Sequence, residues 1–246
     1  MNYFKKQISD FLFNKINLVW RLKSGLNVKV NSRADWEIYN EIFVNGEYDL
    51  PIQLVLEKAN ITVPLNILDI GANVGFFSIR FADLLCQKFN HEVPFTITLI
   101  EGSPTVYKEL KSRISNEPYL NSKTNIIHGL AGEIQGSAKM LEYNYHAANT
   151  IITDRENGAK VEYIDVNSLY KDAARIDLMK CDIEGAELKF IENHQNLLSK
   201  VNVAVFELHD NKCDNNQCRK LLKEVGLENN KKLGGTPPFS VELFWR

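Results

Sequence analysis

The amino-acid sequence predicts an α/β fold with a mostly parallel sheet and helices on both of its faces. From Pro64 onward, short apolar stretches typical of buried strands alternate with stretches whose apolar residues recur at helical spacing. Several strand-like stretches end in acidic residues or histidine, at the edge where open α/β sheets carry their ligand sites. The chain has 246 residues, 44% hydrophobic and 24% charged, which suits one compact domain with a short N-terminal attachment.

The composition argues against several classes of protein. A formal net charge of -2 offers no basic field for a phosphate backbone, so we expect no nucleic-acid partner. Charged residues interrupt every apolar run near the N-terminus, namely Lys5, Lys6, Asp10, Lys15 and Arg21. We therefore expect neither a signal peptide nor a membrane span, and predict a cytoplasmic protein. The 4 cysteines contain no CxxC pair, which predicts reduced thiols.

Residues 1–64 are predicted to form an attachment of helical and hairpin segments, and residues 65–246 the main domain. Tyr3 to Leu22 carries apolar residues at helical spacing, which predicts an amphipathic helix. This helix would either lie across the domain's own core or serve as a lid or a homodimer contact. Between Gly25 and Asp49, the stretches NVKV and EIFV predict a hairpin or short strands, followed by a helix at Pro51 to Lys58.

Beyond Pro64, each element follows from its apolar pattern and the turn residues that flank it. Five strands are predicted, at Asn66 to Ile70, Phe95 to Glu101, Thr124 to His128, Ile176 to Cys181 and Val203 to Leu208. Four helices are predicted, at Val74 to Leu85, Pro104 to Arg113, Ala186 to Leu198 and Gln217 to Val225. From Gly226 onward, a short strand, a GGTPP turn and a last strand at Ser240 to Trp245 are expected.

The stretch from Ala131 to Tyr170 is the least regular part of the sequence. Strand-like pieces occur around Met140, Ile151 and Tyr163, with a polar, aromatic loop from Asn144 to Thr150. Long connections in α/β domains often carry binding residues.

The segment NILDIGANVGFFS contains the first candidate site. An apolar strand ends in Asp69, and Gly71 and Gly75 bracket a tight turn in which glycine permits close approach of a ligand. An ordinary strand-to-helix turn is the alternative. The third glycine of dinucleotide binders is missing, and a carboxylate at Asp69 would repel a pyrophosphate but suits an amino-acid ammonium group. The turn therefore favours S-adenosylmethionine over NAD.

Acidic residues and one histidine mark the ends of three further strands. Glu101 can accept hydrogen bonds from both hydroxyls of a ribose, since Ser103 already supplies the cap of the next helix. Asp182 follows the fourth strand, accompanied by Glu184 and Glu187, and the helix dipole alone accounts for Glu187. Glu207 and His209 lie two residues apart on the fifth strand and so share a face. His209 is also open to a purely structural role.

The motifs DIGANVGFFS, IEGSP, DLMKCDIEGAEL and VAVFELH resemble the FkbM family of S-adenosylmethionine-dependent methyltransferases, over roughly residues 45 to 210. The resemblance implies a Rossmann-like class I methyltransferase fold with a seven-stranded, mostly parallel sheet whose last strand is antiparallel. It implies that the turn Asp69, Gly71, Ala72, Asn73 and Gly75 holds the methionine end of the cofactor and Glu101 its ribose. It further places His128, Gly129 and Leu130 near the adenine and Asp182 near the methyl group. The sequence departs from the common family pattern at Gly102 and Cys181.

The function expected from these motifs is O-methylation of a small molecule, most often a sugar, a glycan or a secondary metabolite in this family. Much of the catalysis would come from positioning the two substrates. Asp182 or His209 would take the hydroxyl proton, with Glu207 orienting His209. As an alternative, Asp182, Glu207 and His209 would together hold Mg²⁺ or Mn²⁺. An NAD-dependent oxidoreductase and a catalytically silent cofactor-binding module are the rival functions.

Overall fold

A computed structural model of the chain describes residues 18–90, 93–142, 150–152 and 158–246. The strands in these ranges are β1 Leu18–Arg21, β2 Asn27–Val30, β3 Leu65–Ile70, β4 Phe95–Glu101, β5 Thr124–His128, β6 Ser137–Leu141, β7 Thr150–Ile152, β8 Ala159–Glu162, β9 Ile176–Cys181, β10 Val201–His209, β11 Asn229–Gly234 and β12 Phe239–Trp245. The helices are α1 Arg33–Tyr39, α2 Asp49–Lys58, α3 Phe76–Phe89, α4 Pro104–Ser115, α5 Pro118–Asn121, α6 Val166–Leu169, α7 Glu187–Asn193, α8 Gln195–Leu198 and α9 Asn215–Glu224. A π-helical turn, Asn40–Val44, continues α1.

The central sheet has seven strands in the order β11-β12-β10-β9-β3-β4-β5. From β10 to β5 all neighbours pair in parallel, whereas β12 runs antiparallel to both β10 and β11. This confirms the predicted seven-stranded sheet with an antiparallel last strand. Because the parallel strands bring their carboxyl ends to one edge, Asp69, Glu101, Asp182 and His209 lie at the same side of the molecule.

The core occupies both faces of this sheet. Strand β9 is buried along its whole length, as expected for a parallel strand covered on both sides. On one face, Val28 and Val30 of the hairpin pack into the same apolar cluster as Ile52 of α2 and Ile67 of β3. On the other, Phe190 of α7 and Leu222 of α9 lie in a cluster with Phe206 of β10. The N-terminal attachment thus closes one face of the sheet.

The predicted N-terminal helix is wrong where the structure describes it. Residues 18–21 form strand β1, which pairs antiparallel with β2 across a turn at Gly25. Strand β2 is anchored in the core by Val28 and Val30, which are fully buried. Pairing with β2 therefore makes residues 18–21 extended despite their helical spacing. The rest of that prediction, residues 3–17, lies outside the described residues. The EIFV stretch is π-helical rather than extended. The prediction failed there because a run of four residues is too short for its pattern to distinguish a strand from a helix.

Two buried or half-buried ion pairs fasten the N-terminal attachment to the main domain. Arg113 of α4 contacts Asp35 of α1 at 2.6 Å, with side-chain exposures of 7% and 1%. Arg80 of α3 contacts Asp49 of α2, also at 2.6 Å. An ion pair to α4 thus holds α1, and an ion pair to α3 holds α2.

A small antiparallel sheet, in the order β7-β6-β8, follows β5 in the chain. It accounts for the strand-like pieces predicted around Met140 and Ile151, whereas Tyr163 makes only an isolated bridge with Leu130. Most of the predicted polar loop, Asn144 to Asn149, lies outside the described residues. In the described ranges, none of the helices has the length and apolar character needed to cross a membrane.

Candidate active site

A cavity of about 520 Å³ opens at the carboxyl edge of the sheet, above β3, β4, β9 and β10. Most of the residues predicted for the site line it, namely Gly71, Ala72, Asn73, Glu101, Gly129, Asp182, Glu207 and His209. Asp69 and Gly75 were also predicted but do not line it, and neither does His128, whose Nε2 lies 3.1 Å from the Gly102 carbonyl oxygen. The structure thus brings residues from four strands into one space.

The turn after β3 owes its glycines to packing as much as to ligand access. Gly71 has φ +72°, and a Cβ there would lie 1.7 Å from the carbonyl oxygen of Asp182. Gly75 has φ +88° and begins α3, and its Cβ would lie 2.8 Å from Leu110 Cδ1. At Gly71 the sequence pattern predicted clearance for a ligand. The structure shows that the close neighbour is the loop after β9.

Every backbone N–H of this turn is already engaged within the protein. The amides of Gly71 and Ala72 donate to the Ile100 carbonyl, and the Gly75 amide donates to the Ala72 carbonyl. The Asn73 amide donates to Glu101 Oε2 at 2.9 Å, and the Val74 amide donates to the side chain of Asn73. The turn therefore presents no free amides to a pyrophosphate, in contrast to the phosphate-binding turns of dinucleotide folds.

Glu101 links two turns while facing the cavity. Its Oε2 accepts from the Asn73 amide, and its Oε1 accepts from the Ser103 amide at 2.7 Å. A carboxylate oxygen can accept more than one hydrogen bond, so acceptor capacity remains toward the cavity. Burial raises the pKa of Glu101, although the two amide hydrogen bonds oppose the rise. Ser103 caps α4 and Pro104 begins it, as the sequence predicted.

A buried charged trio lies beneath the turn. Lys180 Nζ donates to the Gly71 carbonyl at 2.9 Å and lies 3.8 Å from Asp69 Oδ1 and 3.5 Å from Asp182 Oδ2. Burial alone would lower the pKa of Lys180, but Asp182 and Asp69 outweigh it and raise that pKa, so the ammonium stays charged. Lys180 stands in the family motif, but no role was predicted for it.

Asp69 is fully buried, and Ser78 Oγ donates to its Oδ2 at 3.0 Å. Its Oδ1, like Asp182 Oδ1, is a buried oxygen with no hydrogen-bond partner among the described residues. Unpartnered buried oxygens are costly and point to a donor that completes them. The predicted contact of Asp69 with a ligand's ammonium group stays a prediction, and a direct contact would require the carboxylate to move toward the cavity.

His209 lies at the cavity wall, and Glu187 holds it in place. His209 Nδ1 is 3.0 Å from Glu187 Oε1, whereas its Nε2 lies 3.5 Å from Glu184 and 3.6 Å from Glu207. Glu187 is fully buried, and the Gly185 amide also donates to it, at 3.0 Å. The sequence explained Glu187 by the helix dipole and gave the orienting role to Glu207. In the structure the nearest carboxylate, and the one that makes the hydrogen bond, is Glu187.

The carboxylates around His209 set its charge and that of Glu207. Burial lowers the pKa of His209, but the hydrogen bond to Glu187 and the nearby charges of Asp182 and Glu184 raise it by more, so the net shift is upward. Burial and the charge of Asp182 raise the pKa of Glu207 to about 10. This shift favours the protonated form of Glu207, and a cation beside it would favour the carboxylate.

The candidate metal site in the structure has a different set of donors from the predicted one. Ligand atoms of Asp182, Glu187 and His209 all lie within 4.8 Å of one another. Glu187 Oε1, however, already accepts from His209 and from the amides of Ile183 and Gly185, and a metal at that oxygen would displace these donors. The predicted set of Asp182, Glu207 and His209 stays a prediction.

Several walls of the cavity come from segments that no sequence motif marked. Ile38, Glu41 and Ile42 extend from α1 and the π-helical turn, Tyr48 precedes α2, and Met140 comes from β6. Pro238 and Phe239, at the start of β12, close the side next to His209. These residues reach the site through contacts distant in sequence, which a local pattern does not reveal.

The sheet order, the glycine turn after β3 and the acidic strand ends are those of a Rossmann-like methyltransferase fold. The chain belongs to the FkbM methyltransferase family, because the family model described as methyltransferase FkbM domain matches residues 69–231, more than half of its length. Membership of this family implies a methyl donor, S-adenosylmethionine.

A solved methyltransferase structure has the same fold. The crystal structure of methyltransferase FkbM from Methylobacillus flagellatus KT aligns with a TM-score of 0.53 and 14% identity, covering 74% of this chain and 44% of that one. The chain thus spans less than half of that relative's length. The human methyltransferase 10 domain containing protein aligns with a TM-score of 0.47 and 11% identity, covering 82% of this chain and 80% of its own. A comparison with curated protein sequences gave no match.

Proposed function

We propose that this methyltransferase transfers the methyl group of S-adenosylmethionine to a hydroxyl of a small molecule, of the sugar or secondary-metabolite class. The observation that carries the proposal is His209, held by the buried carboxylate of Glu187 at the wall of a cavity that also contains Glu101 and the glycine turn. A positioned imidazole beside a cofactor cavity suits a reaction in which a hydroxyl must lose its proton.

The residues of the cavity fit the proposed cofactor. Glu101 has acceptor capacity for two ribose hydroxyls, and Gly102, Gly129 and Leu130 provide a wall next to it. The Oδ1 of Asp182, which has no hydrogen-bond partner among the described residues, suits an ammonium group near the turn, whereas Asp69 would have to move to contact it. The engaged amides of residues 71–75 disfavour a pyrophosphate, which is the physical reason to prefer this cofactor to NAD.

When bound, the sulfonium of the cofactor supplies an electrophilic methyl group, and the protein's own task is to place and deprotonate the acceptor. With its Nδ1–H donated to Glu187, His209 has the lone pair of Nε2 free to accept a proton. Nε2 lies on the side of Glu184 and Glu207, both of which line the cavity. We assign the acceptor to this part of the cavity, with Asp182 between it and the glycine turn.

Calorimetry tests the cofactor assignment. S-adenosylhomocysteine should bind the protein with a Kd in the micromolar range, whereas NAD should give no measurable heat. Tight NAD binding without S-adenosylhomocysteine binding would instead support an oxidoreductase. A protein that binds the cofactor but transfers nothing to any acceptor would be a silent module.

Transfer from a ¹³C-methyl donor tests the hydroxyl assignment. After incubation with a panel of sugars and amino sugars, the ¹³C shift of the new methyl group distinguishes an O-methyl from an N-methyl or S-methyl product. An O-methyl signal is expected. An N-methyl or S-methyl signal as the main product would refute the hydroxyl assignment while leaving the methyltransferase class intact.

A further inference from the structure

We infer that the acceptor side of the cavity selects a hydroxyl compound that also carries a protonated amine, as amino sugars and aminocyclitols do. The inference rests on the proposed function, because it concerns the acceptor of that same site. The acceptor side is defined here by Glu41, Tyr48, Glu184, Glu207, His209 and Lys212, all of which line the cavity.

Each cation at this side of the cavity already has a carboxylate of its own. Lys212 Nζ lies 3.0 Å from Glu184 Oε2 and donates to the Glu184 carbonyl at the same distance. His209 is hydrogen-bonded to Glu187, which does not line the cavity. Lys180 lies between Asp69 and Asp182. Lys180 and His209 also act on Glu207, but each of them is already shared with at least one other carboxylate.

Three carboxylates remain after this pairing. In the described part of the chain, Glu41 and Glu47 make no ion pair, and the nearest cationic group to Glu207 is His209 Nε2 at 3.6 Å. Glu47 lies behind the wall, where its Oε1 would be 2.4 Å from a Cβ added at Gly234. The acceptor side thus holds more carboxylates than its cations can balance.

The titration of these acids agrees with this excess of negative charge. Burial and the charge of Asp182 raise the pKa of Glu207 to about 10. Burial, with the charges of Glu41 and Asp182, raises the pKa of Glu47 to about 7. Like charges that share a low-dielectric site disfavour each other's ionisation, and a bound cation removes that cost. A carboxylate or phosphate on the acceptor would increase the repulsion between like charges in the site.

The walls favour an organic cation over a bare ion. Ile38 and Phe239 provide apolar surface beside the carboxylates, and Tyr48 is buried next to them. A carbon ring would contact these side chains while its ammonium group meets Glu41 or Glu207. A divalent ion would compete for carboxylates that are already engaged, since Glu184 contacts Lys212 and Glu187 contacts His209.

Binding measured on the S-adenosylhomocysteine complex tests the inference with matched probes. We would titrate D-glucosamine, N-acetyl-D-glucosamine and D-glucuronate, the corresponding galactose set, and 2-deoxystreptamine with its N-acetylated form. Probes with a free amine should bind about tenfold or more tightly than their acetamide and carboxylate counterparts, the scale of one hydrogen bond to a charged group. Equal or tighter binding of the neutral or anionic probes would overturn the inference, as would the failure of every amine probe to bind.

Variants identify the carboxylates responsible. Glu207→Gln should weaken the amine probes about tenfold, Glu41→Gln, which alters an exposed carboxylate, should weaken them less, and both should leave the acetamide probes unchanged. Glu57→Gln, which alters an exposed carboxylate of α2 that does not line the cavity, should change neither. Amine affinity that survives the Glu41→Gln/Glu207→Gln double variant would contradict the assignment.

Two further measurements distinguish this inference from a metal site and from a failure of the proposed function. If Mg²⁺ or Mn²⁺ alone binds the complex and displaces the amine probes, the acids form a metal site and the inference is wrong. If S-adenosylhomocysteine itself does not bind, the proposed function fails before any acceptor probe is added. The two failures are thus distinguishable.

Discussion

At the scale of single residues, the best-defined feature of the site is the hydrogen bond between His209 and Glu187. Glu187 is fully buried and accepts from the backbone amides at the start of α7 as well as from the imidazole. A carboxylate held by so many donors has one position, and it therefore fixes both the ring orientation and the protonated nitrogen of His209. The imidazole is oriented before any acceptor enters.

Two variants test this arrangement. If His209 is the base, His209→Ala should lower kcat by about 10²-fold or more, with little change in S-adenosylhomocysteine affinity. Glu187→Gln should lower kcat less and shift the pH–rate profile. Since the base acts when deprotonated, the parent rate rises with pH through the raised pKa of His209. Removing the Glu187 charge lowers that pKa, so the rise in the variant should occur at lower pH. An unchanged pH–rate profile in Glu187→Gln would show that Glu187 does not orient His209. Full activity of His209→Ala would show that His209 has only a structural role.

Glu101 combines ligand binding with a structural duty, and Glu101→Ala should reveal both. The variant should weaken S-adenosylhomocysteine binding by about 1.5 to 3 kcal/mol, the range for hydrogen bonds to a charged group. It should also reduce the free energy of unfolding, because the amides of Asn73 and Ser103 lose their acceptor. Calorimetry and urea denaturation measure the two effects. A lost kcat with unchanged cofactor affinity would move Glu101 to the acceptor.

At the scale of secondary-structure elements, the sequence predicted the sheet far better than the N-terminal attachment. Strands β4, β5 and β9 have the predicted bounds, although β9 is buried along its whole length and the edge strand β5 is only partly buried. Strand β1 was predicted to be part of a helix. Its extended conformation depends on pairing with β2, a contact between two segments that the pattern of one segment does not reveal. The predicted helix from Ala186 to Leu198 divides at His194 into α7 and α8, a break that its apolar spacing does not indicate.

The contact between α1 and α4 gives a testable consequence at this scale. Asp35→Asn removes the buried one of the two carboxylates that contact Arg113, the other being Glu109 at 2.9 Å, and loss of a hydrogen bond to a charged group costs about 1.5 to 3 kcal/mol. The variant should therefore lose unfolding free energy of this order in urea denaturation. Because Ile38 and Ile42 follow in the same helical segment and line the cavity, acceptor binding should weaken as well.

An exposed pair on the same helix provides the control. Arg33 and Glu37 contact each other at 2.9 Å with side-chain exposures of 27% and 37%. Breaking such a pair by Arg33→Gln should change stability by no more than about 0.5 kcal/mol. If Asp35→Asn were as mild as Arg33→Gln, the buried pair would not be what positions α1.

At the scale of the whole molecule, the site lies where the topology requires. Parallel strands bring Glu101, Asp182 and His209 to one edge, so a sequence that marks strand ends also marks the cavity floor. The other walls could not be predicted in this way. Glu41, Tyr48 and Phe239 come from the N-terminal attachment and the last strand, and only the folded chain brings them to the site. The inferred preference for an acceptor with a protonated amine therefore depends in part on residues that the sequence patterns did not mark.

The excess of acids at that edge also affects the stability of the whole protein, and Glu207→Gln isolates its contribution. The folded protein keeps the proton of Glu207 up to a pKa of about 10, whereas the unfolded chain releases it near the ordinary value of 4.5. Between these values the folded state binds more protons, so the stability contributed by Glu207 falls as pH rises. The glutamine variant has no such proton, and its Tm should exceed that of the parent by a margin that grows from pH 6 to pH 9. Scanning calorimetry across this range, with the exposed Glu57→Gln as the control, measures the margin. Parallel Tm curves for parent and Glu207→Gln would show that Glu207 titrates alike in the folded and unfolded protein, and would contradict the excess of negative charge from which the preference for cationic acceptors is inferred.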